Sequence, residues 1–326
     1  MRKKLMLSLM SLALIATAFV PYPDSALAQT YPTKPINFIV PFPAGTGNDV
    51  IARTIGDKLS KSLGKPVVVD NKAGATGAIA GEAAAKAPPD GYTIFIPSTT
   101  LSINMSVSKV PYDLVKDFTP VALVGVMPNC LLVPSSLPVK SIKELIELAK
   151  SKPGQLNFGS NGFGGAPHLL AEMLKIAGQI DIVHVAYKGT NEVVADLLAG
   201  RVQLLFAPLT TGIPLIKDGR LRILGVASDK RSPALPNVPT MAEVGFPALA
   251  IPNWYAVVAP AGTPKAIITK LNTEITKIMA MDDVKERLTN LGVEPRSSTP
   301  EEAAAYIKQD VAKWAKVIRD SGVQMK

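Results

Sequence analysis

The chain has 326 residues, 47% of them apolar and 19% charged, with a formal charge of +9, which suits one large or two ordinary globular cores. The lysines are scattered singly along helices, aromatics are not interleaved with them, and no RNA or DNA motif is present. The charge therefore reads as solubility and attraction to anionic ligands, and no nucleic acid partner is expected. One cysteine, Cys130, in apolar surroundings and two histidines, His168 and His184, exclude an internal disulfide and leave too few ligands for a structural metal.

Arg2, Lys3 and Lys4 precede an uncharged apolar run from Leu5 to Val20, and Ala26-Leu27-Ala28 forms a small-x-small cleavage site. This pattern predicts a secretory signal peptide over residues 1–28, with Gln29 as the mature N-terminus. The Pro21-Tyr22-Pro23 break argues against a retained anchor, and no cysteine follows the run to carry a lipid. No later apolar run reaches membrane-spanning length, so an exported, soluble product is expected.

Ile36, Phe38 and Val40 alternate in a short apolar run that reads as a buried strand, stopped by Pro41 and Pro43. Ala44-Gly45-Thr46-Gly47 is a small-residue turn. Asn48 or Asp49 can then cap a helix carrying Val50, Ile51, Ile55 and Leu59 on one face. Strand, glycine turn and helix start make an anion-binding geometry, because the first helical N–H groups lack internal partners. The same residues also suit an ordinary tight βα connection. The third glycine of a dinucleotide fingerprint is missing, and no phosphate-loop Gly-Lys-Ser/Thr is present, so no nucleotide is expected.

Further strands are predicted at Val67–Asp70, Thr93–Ile96, Val121–Val126, Leu131–Val133, Leu156–Phe158, Asp181–Ala186, Leu204–Phe206, Arg222–Ala227 and Tyr255–Ala259, with helices between them. This alternation predicts α/β layers with largely parallel sheets. Ser141 with Glu144 forms a capping box, Thr263-Pro264 a cap with an N1 proline, and Thr299-Pro300 with Glu302 another capped start. After the last of these, Ile307, Val311, Trp314 and Ile318 share one helical face, which makes Trp314 a core residue. Small residues from Gly74 to Gly81 read as packing more than as close approach to a ligand. Ten strands are too many for one simple doubly wound sheet, and no long linker divides the chain. Two lobes are therefore expected, with crossings near Pro128–Pro134 and Ala250–Trp254, the first lobe regaining the C-terminal helices.

Phe158 to Leu170 repeats the pattern of strand, glycine-rich turn and helix, and the Ser160 hydroxyl and loop amides there can also hold an anion. Two such loops suggest an anionic ligand in a cleft between lobes, against the plainer reading of two βα turns. Ser160 fails as a hydrolase elbow, since Phe158 stands where the first glycine is needed. His168 is expected to pack or cap its helix, and His184 to lie in a core strand. No acid/base pair has a spacing that demands catalysis. Tyr187 and Thr190 follow a strand and can face a cleft, with Lys188 solvated.

Several motifs occur in a fixed order along nearly the whole mature chain: Pro41-Phe42-Pro43-Ala44-Gly45, Val68-Val69-Asp70-Asn71, Asp90-Gly91-Tyr92-Thr93, Pro111-Tyr112-Asp113, Val185-Ala186-Tyr187-Lys188-Gly189, and Lys230 to Thr240 followed by Ala259 to Pro264. In these the chain resembles the tripartite tricarboxylate receptors, the Bug or TctC-type periplasmic solute-binding proteins. The resemblance implies a two-lobed type II periplasmic binding-protein fold with a ligand cleft between lobes. Lobe 1 would comprise 29–130 plus 250–326, and lobe 2 residues 131–249. It implies a monomeric periplasmic receptor, not an enzyme, that needs no cofactor or metal. Such a receptor captures a small carboxylate and delivers it to a membrane permease of large and small subunits. Carried over by position, the ligand would meet Phe42, Ala44, Gly45, Thr46, Gly47, Asn48 and Asp49 in the first loop. In the second loop it would meet Ser160, Asn161, Gly162, Phe163 and Gly165, with Tyr187, Thr190 and Ala207 at the cleft. Three departures stand out. Thr46 replaces a usual glycine, Ala207 a usual aspartate and Ala256 a usual glycine. Losing the acid at 207 favours a carboxylate without an amine. A receptor feeding a sensor kinase and an exported α/β hydrolase are the alternative functions.

Overall fold

In the computed structural model, residues 31–228 and 230–321 are described; the predicted signal peptide lies outside them. The first half contains β1 (Ile36–Val40), α1 (Gly47–Leu63), β2 (Val67–Asn71), α2 (Ala78–Ala85), β3 (Thr93–Phe95) and α3 (Thr99–Val107). β4 (Phe118–Pro134) leads into α4 (Ile142–Ser151), β5 (Leu156–Ser160), α5 (Ala166–Gly178), β6 (Ile182–Ala186), α6 (Thr190–Leu198), β7 (Leu204–Pro208), α7 (Leu209–Lys217) and β8 (Leu221–Val226). The chain returns through β9 (Pro252–Pro260), α8 (Lys265–Ala280), α9 (Asp282–Asn290), β10 (Glu294–Pro295) and α10 (Pro300–Ser321).

The sheet runs in the order β2-β1-β3-β9-β4-β7-β5-β6, with β8 and β10 also paired to β4. Its two flanks are parallel, as the alternation predicts: β1 lies between β2 and β3, and β5 pairs with β6 and β7. Its middle is not. β4 runs antiparallel to β9, β7, β8 and β10. The runs Val121–Val126 and Leu131–Val133, predicted as two strands, belong to this single 17-residue strand. Pro128 does not break it because it faces Pro252, and neither residue has an N–H that a ladder would need. The first part of β4, to Pro128, pairs with β9, and the rest from Asn129 pairs with β7 and β8. This antiparallel ribbon joins the two parallel flanks of the sheet.

Three apolar clusters fill the interior. One gathers around Phe38, Ile51 and Leu271, one around Phe158, Leu170 and Phe206, and one around Phe95, Trp254 and Ile307. α10 touches two of them, Ile307 in the third cluster and Trp314 in the second, so Trp314 is core. Between these positions the buried Asp310 carboxylate accepts from both indoles, Trp254 Nε1 at 2.7 Å and Trp314 Nε1 at 3.1 Å. Burial raises its pKa, though the indole hydrogen bonds pull the other way. The Thr299 box forms in full: Glu302 N donates to Thr299 Oγ1 at 3.1 Å, and Thr299 N to Glu302 Oε2 at 2.9 Å. Ser141 Oγ caps α4 by accepting from Glu144 N at 3.1 Å. Thr263 does not cap α8. Its hydroxyl turns back to Pro260 O at 2.7 Å, and Pro264 is itself the N-cap residue.

Candidate functional site

The first loop is held by hydrogen bonds of its own side chains. α1 begins at Gly47, so the N-cap residue is Thr46, not Asn48 or Asp49, and the Thr46 hydroxyl donates to Pro43 O at 2.8 Å. Asn48 Nδ2 donates to Ile96 O at 2.8 Å. The Asp49 carboxylate accepts from Gly45 N and from Asn71 Nδ2, each at 2.9 Å, and from Arg53 Nε at 3.0 Å. Burial acts to raise its pKa, but Arg53, the Gly45 amide and Asn71 outweigh that and hold it below the ordinary range. Asp49 thus shapes the turn, in which Gly45 takes φ +83°, a left-handed value natural to glycine. Gly47 serves differently. A Cβ there would lie 2.5 Å from Met127 Cε and 2.6 Å from Tyr255 Oη, so only glycine lets the start of α1 sit against β4 and β9.

The second loop rests on a stack of rings. His168 and His184 lie face to face with centroids 4.0 Å apart, and Phe163 stands edge-on to both. His168 Nδ1 accepts from Gly164 N at 3.2 Å. Ser160 Oγ lies 2.8 Å from Gly162 O and 2.7 Å from His184 Nε2. Donation to Gly162 O makes the hydroxyl the acceptor from His184, which leaves His184 Nδ1 bare; that atom has no partner. Burial, then the neighbouring His184 and Lys175, lowers the His168 pKa to about 3. Burial, then Lys175, lowers that of His184 to about 4. Sequence reading missed the Ser160–His184 contact. It has no acid behind it and no opening in front, since Ser160 is fully buried. It braces a loop and has no hydrolase geometry.

Two cavities meet at Asn161. The outer one, about 1040 Å³, lies between Ala73–Thr76 of the first half and Gly162, Phe163 and Tyr187–Gly189 of the second. Thr76 Oγ1 reaches across it to Phe163 O at 3.0 Å, so the halves touch. The inner chamber, about 30 Å³, is bounded by Phe42, Thr46, Gly47, Asn48, Ser98, Thr100, Asn129, Asn161, Pro167, Thr190, Pro208, Thr211, Asn253 and Tyr255. A space of that size holds about two waters or one carboxyl group. The starts of α1, α3, α5, α6 and α7 all contribute to this lining. Five positive helix ends therefore converge on a chamber whose walls carry no charged side chain. Ser98 Oγ, both amide atoms of Asn129, and the Oδ1 atoms of Asn161 and Asn253 are buried there without a partner in the protein.

The structure thus brings together Phe42, Thr46, Gly47, Asn48, Asn161 and Thr190 in the chamber, and Gly162, Phe163 and Tyr187 in the outer cavity beside Asn161. The Tyr187 hydroxyl is taken by Asp196 Oδ2 at 2.6 Å, so its ring faces the cavity without a free donor. Ala44, Gly45, Asp49, Ser160, Gly165 and Ala207 line neither cavity. Ala207 lies in the core beside Cys130, its partner in register, and it is Pro208 that reaches the chamber. The Gly74–Gly81 run does both jobs. Gly81 packs against the Tyr112 ring, while Ala73–Thr76 and Ala78 face the cavity. Among the residues missed, Asn129 and Asn253 matter most. Each follows a proline inside an apolar crossing run, and a polar residue in a buried strand was the available signal.

The sequence profile described as "Tripartite tricarboxylate transporter family receptor" matches residues 51–323. The chain belongs to this family. A protein in the tcbD-tcbE intergenic region of Pseudomonas sp. (strain P51) is 41% identical over 89% of this chain and 87% of its own length. BugT of Bordetella pertussis is 38% identical over 96% of each chain. Among solved structures, one described as a periplasmic transporter superposes with a TM-score of 0.88 at 38% identity, covering 91% of this chain and all of its own. R. palustris Rpa4515 with adipate gives 0.86 at 36% identity, covering 90% and 99%. MatC from Rhodopseudomonas palustris with bound malate gives 0.83 at 30%, covering 88% and 100%. The fold is that of the two-lobed type II periplasmic binding proteins, and the protein is a periplasmic solute-binding receptor of the TctC family, not an enzyme. No helix among the described residues is long and apolar enough to cross a membrane.

Proposed function

We propose that this receptor captures a small carboxylate between its lobes and delivers it to a tripartite permease with one large and one small subunit. The observation that carries this reading is the convergence of five helix N-termini on a chamber with no charged side chain. Aligned backbone dipoles and unpaired N–H groups favour an anion there, with no basic residue needed to attract one. The adipate and malate of the two Rhodopseudomonas structures support the same chemistry here. On this reading the carboxyl group occupies the inner chamber, and the body of the ligand passes Asn161 into the outer cavity. The lobes are 29–130 with 250–326, and 131–249, and they close about the β4–β9 ribbon. Cleavage after Ala28 releases a monomeric receptor into the periplasm.

The test is thermal. A ligand at 100 times its dissociation constant stabilises the folded protein by about 2.7 kcal/mol. That corresponds to a melting shift of roughly 4 °C for a chain of this size. Screening di- and tricarboxylates, aromatic acids and amino acids should give such a shift with an acid, together with a reduced radius of gyration in solution scattering. Shifts produced by amines or neutral sugars, and by no acid, would refute the reading.

A further inference from the structure

The second loop is fitted more closely to the first half of the chain than a cradle for an anion needs to be. A Cβ on Gly162 would lie 2.8 Å from Thr76 Oγ1, one on Gly164 2.3 Å from Val107 Cγ2, and one on Gly165 3.3 Å from Thr76 Cγ2. Gly162 and Gly164 have φ values of +112° and +75°, which favour glycine whatever the space. Gly165 differs. Its φ is −83°, open to any residue, and it lines neither cavity. The approach of Thr76 accounts for its missing side chain.

Thr76 reaches that loop from a backbone conformation that a β-branched residue avoids. Four successive residues have positive φ: Gly74 at +132°, Ala75 at +47°, Thr76 at +53° and Gly77 at +89°. Left-handed geometry crowds the Cβ atoms of Ala75 and Thr76 against the backbone, and such strain persists only where surrounding contacts over-determine it. Asn104 Nδ2 restrains the turn from its own side, at 3.4 Å from Ala75 O and 3.5 Å from Thr76 O. The Thr76 side chain itself is held from across the outer cavity, where Phe163 O accepts from its hydroxyl at 3.0 Å. This hydrogen bond lasts only while the two halves meet, and it is set against the strain of the turn that makes it.

We propose that Thr76 is a latch on the cleft: it seats in the loop from Gly162 to Gly165, weights the exchange between open and closed arrangements towards closed, and thereby slows release of the bound acid. The proposal rests on the reading of a closing two-lobed receptor above. Thr76→Val keeps the shape and the strained backbone and removes the hydroxyl, whereas Thr76→Ser keeps the hydroxyl and removes the methyl group. In solution scattering of the ligand-free proteins, Thr76→Val and Gly165→Ala should each enlarge the radius of gyration, and Thr76→Ser should not. Gly165→Ala should lose its effect in a Thr76→Ser background, where the methyl group it crowds is gone. Stopped-flow kinetics then uses an acid that shifts wild-type melting, with adipate and malate as the first probes. Thr76→Val should release it about two- to tenfold faster, the range set by one neutral hydrogen bond, with association unchanged. The factor should be the same for every acid that binds, because the latch touches the loop and not the ligand.

Unchanged radii in Thr76→Val and Gly165→Ala overturn the latch. So does faster release that Thr76→Ser shares, or a factor that varies from acid to acid, which marks Thr76 as a ligand contact. Each of these leaves the receptor reading standing. An acid that binds but shrinks neither wild type nor Thr76→Val refutes the closing cleft on which the latch rests. If no acid binds, the carboxylate reading falls and the ligand-free radii decide the latch alone.

Discussion

Acidification from pH 7 to pH 5 should destabilise this protein through two side chains. The chain has two histidines, and they are the stacked pair beneath the second loop. Folded, they resist protonation down to about pH 3 and about pH 4, against 6.5 for a free imidazole, with burial as the main cause. A lowered histidine pKa means that the unfolded chain binds the extra protons. Stability is therefore complete above pH 6.5 and falls as pH drops towards the folded values. Between pH 7 and pH 5 linkage assigns each imidazole about 2 kcal/mol, hence about 4 kcal/mol for the pair. Glu172, whose Oε1 lies 3.9 Å from His168 Nε2, and Asp310 work with the opposite sign, because burial raises both and they retain protons when folded. That makes about 4 kcal/mol an upper bound, and a loss of roughly 2–4 kcal/mol is expected. Urea titrations at pH 7, 6 and 5 measure it, and carboxylates of ordinary pKa contribute little in this window. In the folded protein both rings stay neutral over this window and keep holding the Gly164 amide and Ser160 in place, so they should cause no loss of ligand affinity. A flat profile from pH 7 to pH 5 would refute the assignment, as would an equal loss in a His168→Asn, His184→Gln double variant.

Three further outcomes are expected. Gly47→Ala pushes a methyl group onto Met127, which can yield, and onto the buried Tyr255 hydroxyl held by Asn253 Nδ2 at 2.8 Å. It should cost about 1–3 kcal/mol and weaken ligand binding at least tenfold. Gly45→Ala meets nothing within 4 Å but must hold φ +83°, so it should cost about 1–2 kcal/mol with affinity kept. Calorimetry and melting of the two variants should separate them, and identical behaviour would contradict the site geometry. Asp310→Asn replaces one of two indole acceptors with a donor and should lower stability by about 1–3 kcal/mol, read by denaturant titration followed through tryptophan emission; an unchanged midpoint would argue against the bridge. Intact-mass measurement of the exported protein should place Gln29 at the N-terminus, and a product retaining Met1 would exclude cleavage.

The parts of the site that were legible in the sequence are those built by local rules. Alternation in Ile36–Val40 followed by small residues announces a βα turn, and Thr299 with Glu302 announces a capping box. Neither needs knowledge of the rest of the chain. What stayed hidden depends on register. Nothing near Asn129 or Asn253 tells which face of β4 or β9 each will occupy; the antiparallel pairing of Met127 with Asn253 and of Asn129 with Pro208 decides it. Ser160 and His184 are 24 positions apart and meet because β5 and β6 align Phe158 with His184. Ala207 was read as a cleft residue from its position in a motif, and a one-residue offset on β7 turned it into the core instead, since side chains alternate between faces.

The Pro128–Pro252 pair also bears on how such receptors can be recombined. Facing residues in an antiparallel pair have Cα atoms about 4.5–5.5 Å apart. The chain therefore passes out along β4 and returns along β9 at neighbouring points, and everything between them is topologically a cassette. Two splice points at these prolines would exchange it for the matching stretch of a relative without rerouting the backbone. The outer turns of α10 set the condition for success, because they carry Trp314 from the host into the core of the transplanted part. A chimera should fold only where the donor offers a pocket for that indole, or where the end of α10 is transferred with it.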